Sequence, residues 1–414
     1  MRDARGRLAS TDSARRPLPR EAQLLLATAG GAEQDARIVE LAGGPINWIL
    51  LLQLIALERA EAIVASRFSR LSLRLPGEVA RQLKAMALRS DLRMATLSHR
   101  LDRTLEVLTA ADIPVLLLKG AALGRTVYGS LPRRPMLDID VLVSADRASD
   151  VRTLAIRAGW VPTHLDDASE YYGGHFHLPP LADGLGFGFN LEIHTGLFVA
   201  GHPFAWPLED LWARSRPLPH GAGRVPSPED ILLHTVLHFS WSHMARVGPW
   251  RTFRDVHTMA ASGAVDWREF TRLALESGAA PAAYWTLRLA GIFGVTDVPA
   301  ETVAALRPGR SESVCRILDR HFAGQWFQLE GSCPSLKLER FLWQVGMGPL
   351  GRVRGHSAPW GREALFPELH AQHTPETASG RLGRHLTRVG SYARYLRRVV
   401  LGKSPARSAK VARS

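Results

Sequence analysis

Cysteine is nearly absent from this chain: Cys315 and Cys333 are the two thiols among 414 residues. Two thiols in so long a chain build no disulfide framework, which excludes the small secreted scaffolds and points to a reducing, cytoplasmic setting. Long apolar runs are lacking as well. The longest, from Ile46 to Leu57, is interrupted by Asn47 and Gln53. It falls short of the roughly 20 apolar residues that a membrane span needs. No long apolar segment follows the arginines of the first twenty residues, so no secretory leader is expected. Acid is scarce at both ends. Residues 1–20 carry six arginines against Asp3 and Asp12, and residues 381–414 carry ten Lys or Arg and no acid. With a formal net charge of +13, the body between them is close to neutral. A nucleic-acid-binding face built into the fold is therefore not expected. The basic tail is the segment able to touch an acidic partner or a nucleic acid.

What is present divides by texture. Residues 1–20 are rich in Arg, Ser and Pro and read as a disordered basic N-terminus. Residues 21–110 read as a helical unit. Ile46, Ile49, Leu50, Leu54 and Leu57 mark one helix. Leu83, Met86, Leu88 and Leu92, then Leu97, Leu101, Leu105 and Leu108, mark two more. From residue 111 strand signals appear. Ile113 to Leu118 is a short continuous apolar run, Met136 to Val143 a second strand, and Gly159-Trp160-Val161 begins a third. His175–Leu178 and Phe187–His194 read as a hairpin. After residue 200 helical periodicity returns, with Ser227-Pro228-Glu229-Asp230 as a strong helix start. It is expected through residue 333, followed by an irregular Gly/Pro-containing segment at 334–380. A last amphipathic helix is expected over 382–401.

The chemistry concentrates in Leu137-Asp138-Ile139-Asp140-Val141-Leu142-Val143. Alternation along a strand places Asp138 and Asp140 on one face and the apolar residues on the other. Two adjacent carboxylates repel each other unless a cation lies between them, and Mg²⁺ favours a few carboxylates together with phosphate oxygens. In Asn190-Leu191-Glu192-Ile193-His194 the same alternation puts Glu192 and His194 on one face. If that strand lies beside the first, three carboxylates converge and can hold metal ions that activate a hydroxyl and neutralise a triphosphate. Lys119-Gly120, between a buried strand and a helix, offers a point charge and an approachable backbone to phosphate. His194 orients Glu192, meets substrate or packs in the core. His234 and His238 stand one helical turn apart, without the glutamate of the zinc-protease motif. They are expected to line the cleft or to pack.

Leu118-Lys119-Gly120, Tyr128, and Arg134-Pro135-Met136-Leu137-Asp138-Ile139-Asp140 resemble the uncharacterised nucleotidyltransferase family of the polymerase-beta-like superfamily. Leu191-Glu192-Ile193-His194 is similar to its second motif, and Ser227 to Asp230 with His234 and His238 to its helical part. The resemblance covers roughly residues 95–290. It implies Asp138, Asp140 and Glu192 as catalytic metal ligands for Mg²⁺ or Mn²⁺. It implies Lys119, Gly120 and Arg134 at the phosphates of a nucleoside triphosphate such as ATP. The expected fold is α+β: a nucleotidyltransferase core at 111–200, a small mixed sheet with helices, between helical units at 21–110 and 201–333. The expected function is metal-dependent transfer of a nucleotidyl group to an unidentified acceptor. Ala121, where the superfamily's phosphate turn has Ser or Gly, motivates the alternative of an inactive nucleotide- or partner-binding protein.

Overall fold

The computed structural model describes residues 18–163, 172, 174–219, 221–295, 298–328, 333, 335–347 and 392–401. The basic N-terminus up to residue 17, most of 334–380 and most of the basic tail lie outside the described residues.

Local chemistry sets the N-terminal helices. Asn47 accepts from the Leu50 amide at 3.1 Å and starts helix Trp48–Glu58, which ends at Arg59 in the left-handed region (φ 54). Such a bend closes a helix by returning the following amide to its last turn; here the Ala60 amide reaches the Ile55 carbonyl at 2.9 Å. The two helices expected between Leu83 and Leu108 are one, Gly77–Ala110, of 34 residues. After Gly77 no Gly or Pro interrupts it. The break inferred from the leucine pattern is a change of environment instead. Leu88 and Leu92 are exposed, whereas Leu97, Leu101, Leu105 and Leu108 are buried beneath the sheet region.

The sheet is mixed and larger than expected. Among the described residues seven short strands run in the order β3-β4-β5-β2-β1-β7-β6. They are β1 (Leu116–Leu117), β2 (Asp138–Leu142), β3 (Val161–Pro162), β4 (Leu181–Ala182), β5 (Asn190–His194), β6 (Arg216–Pro217) and β7 (Arg224–Val225). β2 is central, antiparallel to β1 and parallel to β5. The expected hairpin before β5 is there in outline, with β4 antiparallel to β5 and His177 bridging His194. The β6–β7 hairpin extends the sheet beyond residue 200, and β7 runs parallel to β1.

The helical part includes Pro228–Leu237, Pro249–Ser262, Trp267–Glu276 and Ala280–Ile292, and its first helix packs on Lys119–Arg125, the helix that leads from β1 toward β2. Ser227 caps the first of these by accepting from the Asp230 amide at 3.1 Å. Asp230 is fully buried and takes two hydrogen bonds of 2.8 Å from Arg214 and one from the Trp206 indole. The Ser-Pro-Glu-Asp start is therefore a structural anchor. Past Leu237 the helix widens into a π-turn, His238–Ser242, a distortion that recurs where side chains are re-aimed at a site. Among the described residues no helix is long and apolar enough to cross a membrane.

Candidate active site

The parallel register of β2 and β5 puts Asp138 opposite Asn190, Asp140 opposite Glu192 and Leu142 opposite His194. Asp140 and Glu192 are therefore neighbours across one step of the sheet, and His194, two residues on, leans back over the same face. The His194 Nε2 lies 3.0 Å from Asp140 Oδ1 and 3.3 Å from Glu192 Oε2. Ligand atoms of Asp140, Glu192 and His194 all lie within 4.8 Å of one another. Adjacent ligands around a cation with bonds near 2.1 Å are about 3 Å apart, so the separations within this trio suit one shared ion. The donors are two carboxylates and an imidazole, a set that Mn²⁺ accepts more readily than Mg²⁺ does. The buried Nδ1 of His194 has no hydrogen-bond partner among the described residues, so the ring is held mainly through Nε2.

Asp138, expected as an equal partner, opens onto the cleft while Asp140 is 4% exposed. Its carboxyl is pushed up to about 6, first by the confinement of the cleft floor and then by the charges of Asp140 and Glu192. The alternation that placed both aspartates on one face is intact, and the trio within reach of one ion substitutes His194 for Asp138.

Lys119 lies against this trio. Its Nζ donates to Asp140 Oδ1 at 2.6 Å. Burial alone would raise the Asp140 carboxyl, but Lys119 and His194 outweigh it and hold the group well below the ordinary range. The imidazole of His194 is penalised by burial, yet hydrogen bonds to Asp140 and Glu192 raise it above its usual value. Lys119 opens helix Lys119–Arg125 with φ 44, a left-handed conformation that is uncommon for a side chain of this type. Gly120 is packed closely: a Cβ there would stand 3.3 Å from Met136 Sδ and 3.5 Å from Arg134 Nη1.

Arg134 is committed elsewhere. Its Nε and Nη2 each donate to Asp255 at 2.7 Å, in a fork on a 2%-exposed carboxylate that also accepts from Tyr128 at 2.9 Å. Tyr128 is accordingly driven upward by burial and by the Asp255 charge. Asp255, on helix Pro249–Ser262, joins the core motif to the helical part and was missed by sequence reasoning.

Asp138, Asp140 and Glu192 line a cleft of about 1250 Å³, while His194 is buried and does not reach its lining. The sheet forms the floor, while Leu57 and Arg59 of the N-terminal helices and His234, His238, Trp241 and Arg251 of the helical part line its walls. Burial lowers His234 to about 3 and His243 to about 4, and takes His238 well below its usual value. Those three imidazoles are therefore uncharged at neutral pH. His234 and His238 line the cleft with ring centroids 6.4 Å apart, and they do not enter a three-ligand metal group among the described residues.

A family model described as an uncharacterised nucleotidyltransferase matches residues 44–294. No curated protein and no solved structure matches the chain. The matched span takes in the N-terminal helices from before Trp48, well upstream of the stretch whose motifs carry the resemblance.

Proposed function

Because the chain belongs to the uncharacterised nucleotidyltransferase family, we propose that it transfers a nucleotidyl group from a nucleoside triphosphate to an acceptor in this cleft. The observation that carries the reading is the β2–β5 register, which brings Asp140, Glu192 and His194 together, with the two carboxylates facing the cleft. These residues would hold a divalent ion, with Asp138 facing the substrate side. The bound ion would supply Lewis acidity toward the phosphoryl oxygens and offset their charge. The surrounding core is read as the polymerase-beta type, on the strength of the strand–Lys119-Gly120–helix turn and the paired aspartates.

In the transfer, an acceptor oxygen forms a bond to the α-phosphorus, the bond to the β-phosphate oxygen breaks, and pyrophosphate leaves. The chain's share is to position and to balance charge. Asp140 and Glu192 fix the ion's place. His194 keeps both carboxylates aligned. Lys119 is the counter-cation of Asp140 and is placed to transfer its charge to a phosphate. Arg134 holds the floor together through Asp255.

A second reading is a nucleotide-binding protein without turnover. Its motivation is the Lys119–Asp140 pair, which already satisfies one ligand, together with Ala121. Incubation with labelled nucleoside triphosphates, Mg²⁺ or Mn²⁺ and an acceptor panel separates the two. Pyrophosphate release that falls by about 10²-fold or more in Asp140→Asn and Glu192→Gln supports transfer. Tight, metal-dependent nucleotide binding with no release supports the second reading. Equal triphosphate binding by wild type and both variants removes both.

A further inference from the structure

The cations lining the cleft differ in what they already hold. Lys119 is bonded to Asp140, and Arg134 is clamped on Asp255. Arg59, Arg251 and the exposed Arg340 are left: among the described residues none of these guanidiniums makes a hydrogen bond or an ion pair, and of the three Arg251 has a buried Nη1 without a partner while Arg59 lies close enough to it to be repelled. All three line the cleft. Arg59 and Arg251 come from elements far apart in sequence, the first from the bend that ends helix Trp48–Glu58 and the second from the first turn of helix Pro249–Ser262.

We infer that Arg59 and Arg251 form an anion subsite beside the acidic trio, one that takes the distal phosphates of a nucleoside triphosphate. The ligand's identity rests on the nucleotidyl-transfer reading; the subsite itself rests on the two unpaired guanidiniums. Arg59 lies close enough to Asp138 for the two charges to act on each other, and close enough to Arg251 to be repelled by it. The subsite therefore adjoins the carboxylates, and a triphosphate anchored at its α-phosphate over the acids can extend its tail onto the arginines. A forked guanidinium suits phosphate oxygens better than an ammonium does.

Local structure keeps these groups available. The bend at Arg59 (φ 54) turns the chain toward the cleft. A Cβ on Gly248 (φ +71) would meet Arg251 Nη2 at 2.9 Å and Nε at 3.3 Å, so the guanidinium lies back over this glycine. The acids nearby stay out of ion-pair contact. Glu58 accepts from the Arg251 backbone amide at 3.4 Å, and Glu61 acts on both arginines at longer range. Burial and mutual repulsion push Arg59 down to about 10, the mark of a cation lacking its anion.

The test uses inorganic tripolyphosphate as probe, the full chain without divalent metal, and calorimetry at two ionic strengths. Wild type should bind, more weakly at higher salt. Arg59→Gln and Arg251→Gln should each lose on the order of tenfold in affinity, and Gly248→Ala should weaken binding by displacing Arg251. Arg103→Gln, on an exposed turn of helix Gly77–Ala110 outside the cleft, should bind as wild type does. The thermal midpoint of Arg59→Gln should stay level or rise, because a desolvated charge that Arg251 repels is removed; a merely structural arginine would lower it. Wild-type affinity in the variants, or an equal loss in Arg103→Gln, overturns the proposal. Should a variant not fold, phenylglyoxal labelling of wild type decides. Protection of Arg59 and Arg251 by tripolyphosphate supports the subsite, and unprotected labelling overturns it. Tripolyphosphate bound at these arginines with no pyrophosphate release from nucleotides would defeat the transfer reading and leave the subsite standing. Release with unaltered binding in the variants would do the reverse.

Discussion

Asp138 and Asp140 are two residues apart on one strand and differ in how they hold a proton. Asp140, with Lys119 and His194 against it, stays ionised far into acid, whereas Asp138 takes up a proton near pH 6. To bind a cation His194 must give up a proton that Asp140 and Glu192 help it keep, and Asp138 beside the site is protonated near pH 6, so affinity for Mn²⁺ should decline as pH falls from 8 toward 5. Mn²⁺ titration followed by electron paramagnetic resonance checks this; an affinity unchanged from pH 8 to pH 5 contradicts it. Lys119 carries a second prediction. Asp140 has a depressed value, so the stability it contributes is present above the ordinary carboxylate range and disappears as pH drops through its folded value. Lys119→Met strands a buried charge and should cost about 3–5 kcal/mol at neutral pH, with the deficit shrinking in acid. Urea unfolding at pH 7 and pH 4 measures it, and saturating Mn²⁺ should restore part of the loss. An unfolding midpoint equal to wild type at pH 7 would mean that the ion pair has no structural weight.

Elements meet where the sequence gives little warning. Arg134 follows the 3-10 turn Leu131–Arg133 and Asp255 belongs to helix Pro249–Ser262, 121 positions away. Their two-pronged pair, with Tyr128 as a third member, fastens the sheet to the helical part. Removing one partner of a buried pair is far more costly than the pair's net worth. Asp255→Ala should therefore destabilise by about 3–5 kcal/mol, and Arg134→Ala added to it should cost little more, a coupling that a double-mutant cycle by chemical denaturation reads directly. Fully additive losses would show the two residues to be independent. Gly124 makes a tighter local point. A Cβ there would meet Leu131 Cδ2 at 2.6 Å and the Leu131 Cα at 3.3 Å. Gly124→Ala should cost about 1–3 kcal/mol through overpacking, read as a lowered thermal midpoint; an unchanged midpoint would show that the turn after helix Lys119–Arg125 yields freely.

For the whole molecule, what could be read in advance follows from the range of each interaction. β2 and β5 were legible because an alternating pattern is a local property, and the shared face of Asp138 and Asp140 follows from it. That β5 lies parallel beside β2 was an inference, since forty-odd intervening residues hide the register. His194 had a signal, its i+2 spacing from Glu192, but its place as third donor depends on the register that sets it opposite Leu142. The β6–β7 hairpin left no trace because two-residue strands carry no period. The long helix Gly77–Ala110 was divided in two because exposed Leu88 and Leu92 imitate a buried stripe. Arg59 and Asp255 were invisible since each acquires its meaning only from a partner on another element.

On the proposed function, Asp140, Glu192 and His194 close around one divalent ion beside a nucleotide cleft. Crystals grown with Mn²⁺ and a non-hydrolysable triphosphate, with anomalous scattering recorded at the manganese edge, address it most directly. The account expects a manganese peak about 2.1 Å from both carboxylates and within ligand distance of the imidazole, with Lys119 withdrawn from Asp140. Manganese bound elsewhere, with Lys119 still seated on Asp140 beside a bound triphosphate, would contradict it.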